Sequence, residues 1–410
     1  MNNKILLPEH YPLQNGSNIF AFFINNTSIT KIDLIFYNCY NDGNTFLINK
    51  CLKDLILLGF KNHSSTDIYR LINYYGINTY IENYKEYIII TFYFIDRYIN
   101  NVLYIMNILL SSASFLQNDL NKYKYQSIYN LYNKALYPEY LSKLNRKKIF
   151  FGKKTFYGYT IQLKDMINLS RKDIFTYYDN IINNKNCNII ITSNENNYNL
   201  VQKLKLFFEK ISYGNNTLIK NLIFDINSAP IDKYHIKNDN IQSILSMGKI
   251  ININYLHEDY PKLIFVNTIL GGYFNSRLMM SLREKMKYTY DITSNLYSFK
   301  NFSTILIYCF LNKHYTKKSI AIIYNEINKI INSKICDEEL NKVKKYIYSQ
   351  YINSLDYPFN FSNYFKRFLS IKDYNKYYTN FENTINGIKK EEIQIIAQKY
   401  LYGKYYEIII

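Results

Sequence analysis

Leu270-Gly271-Gly272-Tyr273-Phe274-Asn275-Ser276-Arg277-Leu278, continued through Leu282-Arg283-Glu284-Lys285 to Tyr288-Thr289-Tyr290, is the stretch with the most specific reading in this sequence. Adjacent glycines let a backbone pass close to its neighbours. Asn275 is placed to cap a helix, and the apolar side of that helix runs through Leu278, Met279, Leu282 and Met286. Arg283 precedes Tyr290 by seven residues, so a guanidinium and a phenol emerge where both can reach one bound peptide.

Upstream and downstream of this stretch, strand and helix patterns alternate. Asn18-Ile19-Phe20-Ala21-Phe22-Phe23 and Ile32-Asp33-Leu34-Ile35-Phe36-Tyr37 read as a strand pair, with a turn at Asn41-Asp42-Gly43-Asn44. Leu47, Cys51, Leu55 and Leu58 form an apolar stripe that predicts a helix over 45–58, and a second helix runs over 65–75 until Gly76. Strands are expected at 87–94 and 188–192, with helices over 95–110 and 118–133 between them. The second half repeats the order: strands at 243–256, a helix over 260–270, the glycine segment, strands at 290–297 and 303–310, then helices from 317 onward. Gly214-Asn215-Asn216-Thr217 through Ser228-Ala229-Pro230 has the residues of a connection. The expected division is therefore an N-terminal half-domain over 1–220 and a C-terminal half-domain over 221–410.

At 410 residues the chain has material for two cores, since single cores stop growing beyond about 250–300 residues. Its formal charge of +18 invites a nucleic-acid reading, but the lysines are scattered among Asn, Ile and Tyr along the whole chain rather than gathered on one stretch, so neither nucleic acid nor membrane is expected as a partner. Cys39, Cys51, Cys187, Cys309 and Cys336 include no C-x-x-C pair, which points away from a disulfide framework or a thiolate zinc site. The first ten residues hold too short an apolar run for a signal peptide, and no span of about 18 apolar residues occurs. A cytoplasmic location is the resulting expectation.

The glycine segment resembles the C-terminal half-domain signature of the insulinase, pitrilysin and mitochondrial-processing-peptidase family of zinc metallopeptidases, written L-G-G-x-F-x-S-R-L-x-x-x-[IL]-R-E-K and followed by a tyrosine. Gln242-Ser243-Ile244 and the closing Ile393 to Leu401 suit the same family, so the resemblance extends over nearly the whole chain. It implies an α+β fold of two similar half-domains, each a largely antiparallel sheet with helices packed on it. By the same resemblance Tyr290 donates to the scissile carbonyl and Arg283 holds a neighbouring one, with Gly271, Gly272 and Arg277 near the substrate. A purely structural role competes for Arg277, and a surface ion pair with Glu284 competes for Arg283.

Active members of that family carry His-x-x-Glu-His on a helix, where two histidines at i and i+4 hold zinc and the glutamate serves as base. Spacing to Gly59 and Gly76 puts the motif at Lys50-Cys51-Leu52-Lys53-Asp54. Lys50 and Asp54 then stand at the ligand positions and Lys53 at the base, where an ammonium has no lone pair to offer. The third ligand position falls near Tyr129 or Asn130. His10, His63, His235, His257 and His314 are too far apart in sequence to form an H-x-x-x-H pair in any register, and His257-Glu258-Asp259 reads as a polar turn before Pro261. No metal or other cofactor is therefore expected on this chain. The resemblance implies the non-zinc, substrate-binding subunit of a heterodimeric processing-type metalloendopeptidase, inactive alone. It would be paired with a zinc-bearing subunit of the same family and would grip extended peptides. The alternative is a non-catalytic scaffold or chaperone-like chamber subunit.

Overall fold

Runs of β-branched and aromatic residues form two sheets, one in each of two compact units. The computed structural model describes residues 7–24, 27–37, 43–84, 86–153, 155–182, 187–194, 198–210, 233–235, 242–355, 359–366, 369 and 374–410. The first unit is Met1–Tyr132, Ile161–Leu222 and Ser354–Ser370; the second is Asn133–Thr160, Ile223–Asn353 and Ile371–Ile410. Each unit thus takes in a segment from the other half of the sequence. The connection expected at 214–230 lies outside the described residues.

In the first unit β1 (Glu9–Pro12), β2 (Asn18–Phe23), β3 (Ile29–Tyr37), β4 (Asn78–Asn83), β5 (Tyr87–Ile95) and β6 (Cys187–Ser193) are arranged in the order β1-β2-β6-β3-β5-β4. Only β2 and β6 run parallel. This corrects the expected strand pair, because β6 lies between β2 and β3. Its seven residues are all buried, with Ile189-Ile190-Ile191 at the centre, and burial along the whole strand suits a place inside the sheet rather than at its edge.

The helices of this unit are α1 (Gly43–Leu55), α2 (Ser65–Tyr74), α3 (Ile99–Ser111) and α4 (Gln117–Ala135), whose last residues pass into the second unit. Pro138–Phe151, α5, belongs to the second unit, and α6 (Leu163–Asn168), α7 (Arg171–Ile182) and α8 (Tyr198–Lys210) to the first. Ser64 caps α2 reciprocally with Asp67, and Gly76 at φ +63° turns the chain away after it. Cys51, Leu52 and Leu55 of α1 join Ile174, Tyr177 and Ile181 of α7 in the core over the sheet.

The second unit contains β7 (Lys233–His235), β8 (Gln242–Ile251), β9 (Ile292–Ser298), β10 (Ser303–Asn312) and β11 (Tyr406–Ile409), in the order β7-β11-β8-β10-β9 with only β7 and β11 parallel. That order and that parallel pair repeat β2-β6-β3-β5-β4 of the first unit, so the two units are versions of one α+β plan. Helices α9 (Tyr260–Asn267), α10 (Thr316–Asn332) and α11 (Asp337–Leu355) follow, then α12 (Asn360–Phe365), which belongs to the first unit. The chain closes with α13 (Tyr374–Gly387), α14 (Lys390–Leu401) and β11. Helix α5 lies on β8: the Ser142 and Ser246 hydroxyls are 3.0 Å apart, and the Phe150 ring covers Gly248.

Candidate functional site

The glycine segment begins where α9 widens into a π-helical turn over Thr268–Gly272. A side chain on Gly271 would place its Cβ 2.6 Å from Ser294 Cβ and 2.9 Å from Ser294 N, so a glycine is required there for helix to meet strand. Asn267 fastens the same junction, donating to the Ser294 carbonyl at 2.9 Å and accepting from its hydroxyl at 2.6 Å. Gly272 is also tight, with the Asn267 carbonyl and Thr268 hydroxyl oxygens each 3.3 Å from an added Cβ. The approach that both glycines permit is to their own unit.

The next helical turn starts at Arg277, with Ser276 rather than Asn275 at its boundary. Ser276 N–H donates to the Tyr273 carbonyl at 3.1 Å, a turn that takes in Asn275, and Met280 N–H donates to the Ser276 carbonyl. Arg277 forms a two-pronged pair with Glu339, Nε and Nη2 lying 2.9 and 2.8 Å from the two carboxylate oxygens, with only 19% of its side chain exposed. The hydrogen bonds to Glu339 raise its already high pKa. The structure therefore places Arg277 in a bond across its own unit.

Met279–Lys285 is again π-helical, and i→i+5 bonding slows the rotation of side chains around the axis. Leu278, Met279 and Leu282 are buried as their spacing predicts, but Met286 is 49% exposed, a correction to the apolar face that the wider turn explains. On the side facing α10, the Ser281 hydroxyl donates to Glu326 at 3.0 Å, and Lys329 pairs with the same carboxylate at 2.7 Å. Arg283 is half-exposed, its guanidinium 4.8 Å from the Phe274 ring centre and 3.6 Å from the Glu284 carboxylate.

Tyr290 stands on a fixed pedestal. Met286 N–H donates to Ser281 O and Tyr288 N–H to Leu282 O, closing the helix with Lys287 in the left-handed region at φ +55°. Such a conformation in a non-glycine residue costs of order 1–3 kcal/mol and persists where neighbours over-determine it. Tyr288 stacks on Tyr315 with ring centres 4.2 Å apart, and Thr289 Oγ1 lies 2.6 Å from the Phe310 carbonyl oxygen. Between these anchors and β9, Tyr290 projects with 89% of its surface exposed. A phenol held this way can donate a hydrogen bond to a carbonyl brought to it.

The positions matched to the zinc motif lie on α1. Lys50 is half-buried and Asp54 exposed one turn on, Lys53 is exposed, and Cys51 between them is in the core with its thiol pKa pushed up by burial. Partial burial raises the Asp54 carboxyl, with Lys53 and Lys50 opposing. Tyr129 and Asn130 are exposed on α4. Among the described residues, no three His, Cys, Asp or Glu side chains converge as a metal site would require. The polar turn before Pro261 is engaged in the fold, Asp259 accepting from Lys399 Nζ at 2.7 Å and from the Tyr400 hydroxyl at 2.6 Å.

One cluster escaped the sequence reading. Lys31 and Asp33 point from β3 into the first unit together with Lys366, which follows α12. Its signal was two charges at alternate positions inside an otherwise apolar strand.

The second unit thus carries the Gly-Gly/Ser-Arg-Leu segment with Arg283 and Tyr290, and the first carries a helix without zinc ligands at the position matched to the motif. Residues 168–347 match the family model described as the peptidase M16 inactive domain, and the sequence holds no His-x-x-Glu-His. Among curated proteins, it is 23% identical over 310 residues to the non-peptidase homolog YmxG of Helicobacter pylori, covering 75% of this chain and 71% of that one. It is 21% identical over 208 residues to the probable inactive metalloprotease YmfF of Bacillus subtilis, covering 50% and 47%. Among solved structures, the peptidase M16 inactive domain from Pseudomonas fluorescens superposes with a TM-score of 0.84 at 15% identity, over 98% of this chain and 97% of that one, and shares its fold. Among the described residues, no helix is long and apolar enough to cross a membrane.

Proposed function

We propose that this protein has no peptidase activity alone and acts as the substrate-gripping subunit of a two-chain metalloendopeptidase. A zinc-bearing M16-type partner would supply the metal, its ligands and the base. Arg283 and Tyr290 of this chain then complete the composite site, Tyr290 donating to the scissile carbonyl as negative charge develops and Arg283 holding an adjacent carbonyl. The observation that carries the reading is Tyr290 itself, 89% exposed on a backbone pinned at Tyr288 and Thr289. The same segment leaves Phe274, Met280 and Met286 exposed, apolar surface suited to a peptide or a partner chain.

The test is peptide hydrolysis by this chain, by a zinc-bearing partner and by the two together. Activity that needs both chains and falls about 100-fold or more on Tyr290→Phe, the typical loss for one oxyanion donor, supports the proposal. Zinc-dependent cleavage by this chain alone overturns it. A second reading, a non-catalytic scaffold or chaperone-like subunit, is favoured by the relatives named as non-peptidase and inactive. A stable two-chain complex whose activity ignores Tyr290→Phe and Arg283→Ala would select it.

A further inference from the structure

A cleft of about 400 Å³ lies within the second unit, lined by the π-helical turn Met279–Lys285 and the residues just before it, by the end of α10 and by the first turn of α11. Among the described residues that line it, Met280 alone is apolar. A greasy ligand would find little to pack against there, while a small charged one would find many groups to bond. Widened turns of this kind recur where helices serve a binding role.

The polar groups of the cleft are not all used up. Arg277 meets both Glu339 oxygens through Nε and Nη2, which leaves its Nη1 edge without a bond among the described residues. Glu326 is more than nine-tenths buried, yet the Ser281 hydroxyl and the Lys329 ammonium both reach the same oxygen, Oε1. No bond among the described residues reaches its Oε2, although a carboxylate accepts on both oxygens. Lys285 lines the same cleft, exposed, with no ionic or hydrogen-bond partner among the described residues. Once the pairs Arg277–Glu339 and Lys329–Glu326 are set against each other, an unpaired ammonium and an unfilled carboxylate oxygen remain.

A lone anion in this cleft would sit beside the Glu326 carboxylate, and a lone cation beside Arg277, Lys285 and Lys329. A molecule with both charges answers each group and adds no net charge. We propose that the cleft binds a free α-amino acid, its ammonium on Glu326 Oε2, its carboxylate between Lys285 and the open edge of Arg277, and its side chain against Met280. The flexible four-carbon stem of Lys285 lets its ammonium follow the carboxylate. This goes beyond the two-chain reading and needs no partner. Because Arg283 belongs to the same π-helical turn as Ser281 and Lys285, an occupant would be bonded to the segment on which the composite site depends.

The experiment is isothermal titration calorimetry of the whole chain with each of the common amino acids in turn, then with the tightest of them as its N-acetyl and its amide derivative. Blocking either end is expected to weaken binding about ten-fold or more, as loss of a charge-assisted hydrogen bond implies. Lys285→Met, at an exposed position, should bring the amino acid down to the level of its amide. Glu326→Gln should bring it towards the level of the N-acetyl form, while Lys334→Met, exposed and outside the cleft, should bind as the parent does. Saturable binding of no amino acid overturns the proposal, as does a preference over the amide that survives Lys285→Met. An N-acetyl form that binds as tightly as the free amino acid also overturns it and makes the cleft a simple anion site. If Glu326→Gln does not fold, the N-acetyl comparison on the parent protein decides the ammonium's part. No partner is present in this assay, so its failure leaves the composite-site reading standing, and failed hydrolysis by the paired chains leaves the cleft standing.

Discussion

Lys31 makes the stability of the first unit depend on alkaline pH. Burial pulls its pKa from 10.5 down to about 8; Asp33 opposes the shift and Lys366 adds to it. Below the folded value the lysine is protonated in both states. Between about 8 and 10.5 the unfolded chain keeps a proton that the folded chain has released, so this group's contribution to unfolding free energy rises with pH. Denaturant titrations of the protein and of Lys31→Met should therefore diverge in favour of the unsubstituted protein as pH climbs through that window, whereas a constant difference would mean that Lys31 stays charged. Cysteine chemistry gives a second check at this scale. Cys51, Cys187 and Cys309 are buried with thiol pKa values raised by burial, while Cys336 is exposed. A thiol reagent should modify Cys336 in the native protein and the other three only on unfolding; rapid native labelling of Cys51 would show that the face of α1 is open.

At the scale of elements, the junction of α5 with β8 turns on one atom. A Cβ on Gly248 would lie 2.5 Å from the Ile305 carbonyl oxygen and 2.6 Å from the Phe150 ring. Gly248→Ala should cost about 1–3 kcal/mol by overpacking, while Gly387→Ala, with nothing within 4 Å of the added carbon, should stay within about 0.5 kcal/mol of the parent; equal midpoints in chemical denaturation would contradict this packing. Strong periodic elements such as α2 and β5 were legible from sequence because propensity, caps and burial agree. β4 was not, since Asn78-Thr79-Tyr80-Ile81-Glu82-Asn83 is a polar edge strand with no buried residue, and β11 is only four residues long. The place of β6 between β2 and β3 is set by long-range pairing, which no local pattern encodes. The two π-helical turns were also invisible, because i→i+4 and i→i+5 bonding draw on the same residues, and that is why Met286 was assigned to the wrong face. Arg283 and Tyr290 were found by their spacing, Lys31 and Asp33 were passed over, and Lys366 could not be linked to them across more than 300 residues.

For the whole molecule, the absence of a converging ligand cluster among the described residues predicts that a chelator leaves the thermal midpoint unchanged. A fall of several degrees on chelation would reveal a metal held elsewhere. The assignment of Ser354–Ser370 to the first unit also bears on the order in which the protein is made. Domains usually fold from the N-terminus as synthesis proceeds. Here the ribosome must pass residue 366 before the first unit receives α12 and Lys366. Until then Asp33 has Lys31 alone as its ionic partner. A nascent chain stalled at residue 353 should accordingly hold its first sheet in a protease-sensitive form that becomes resistant once α12 and Lys366 emerge, so that a sheet begun before the second unit is finished only after most of that unit has been made.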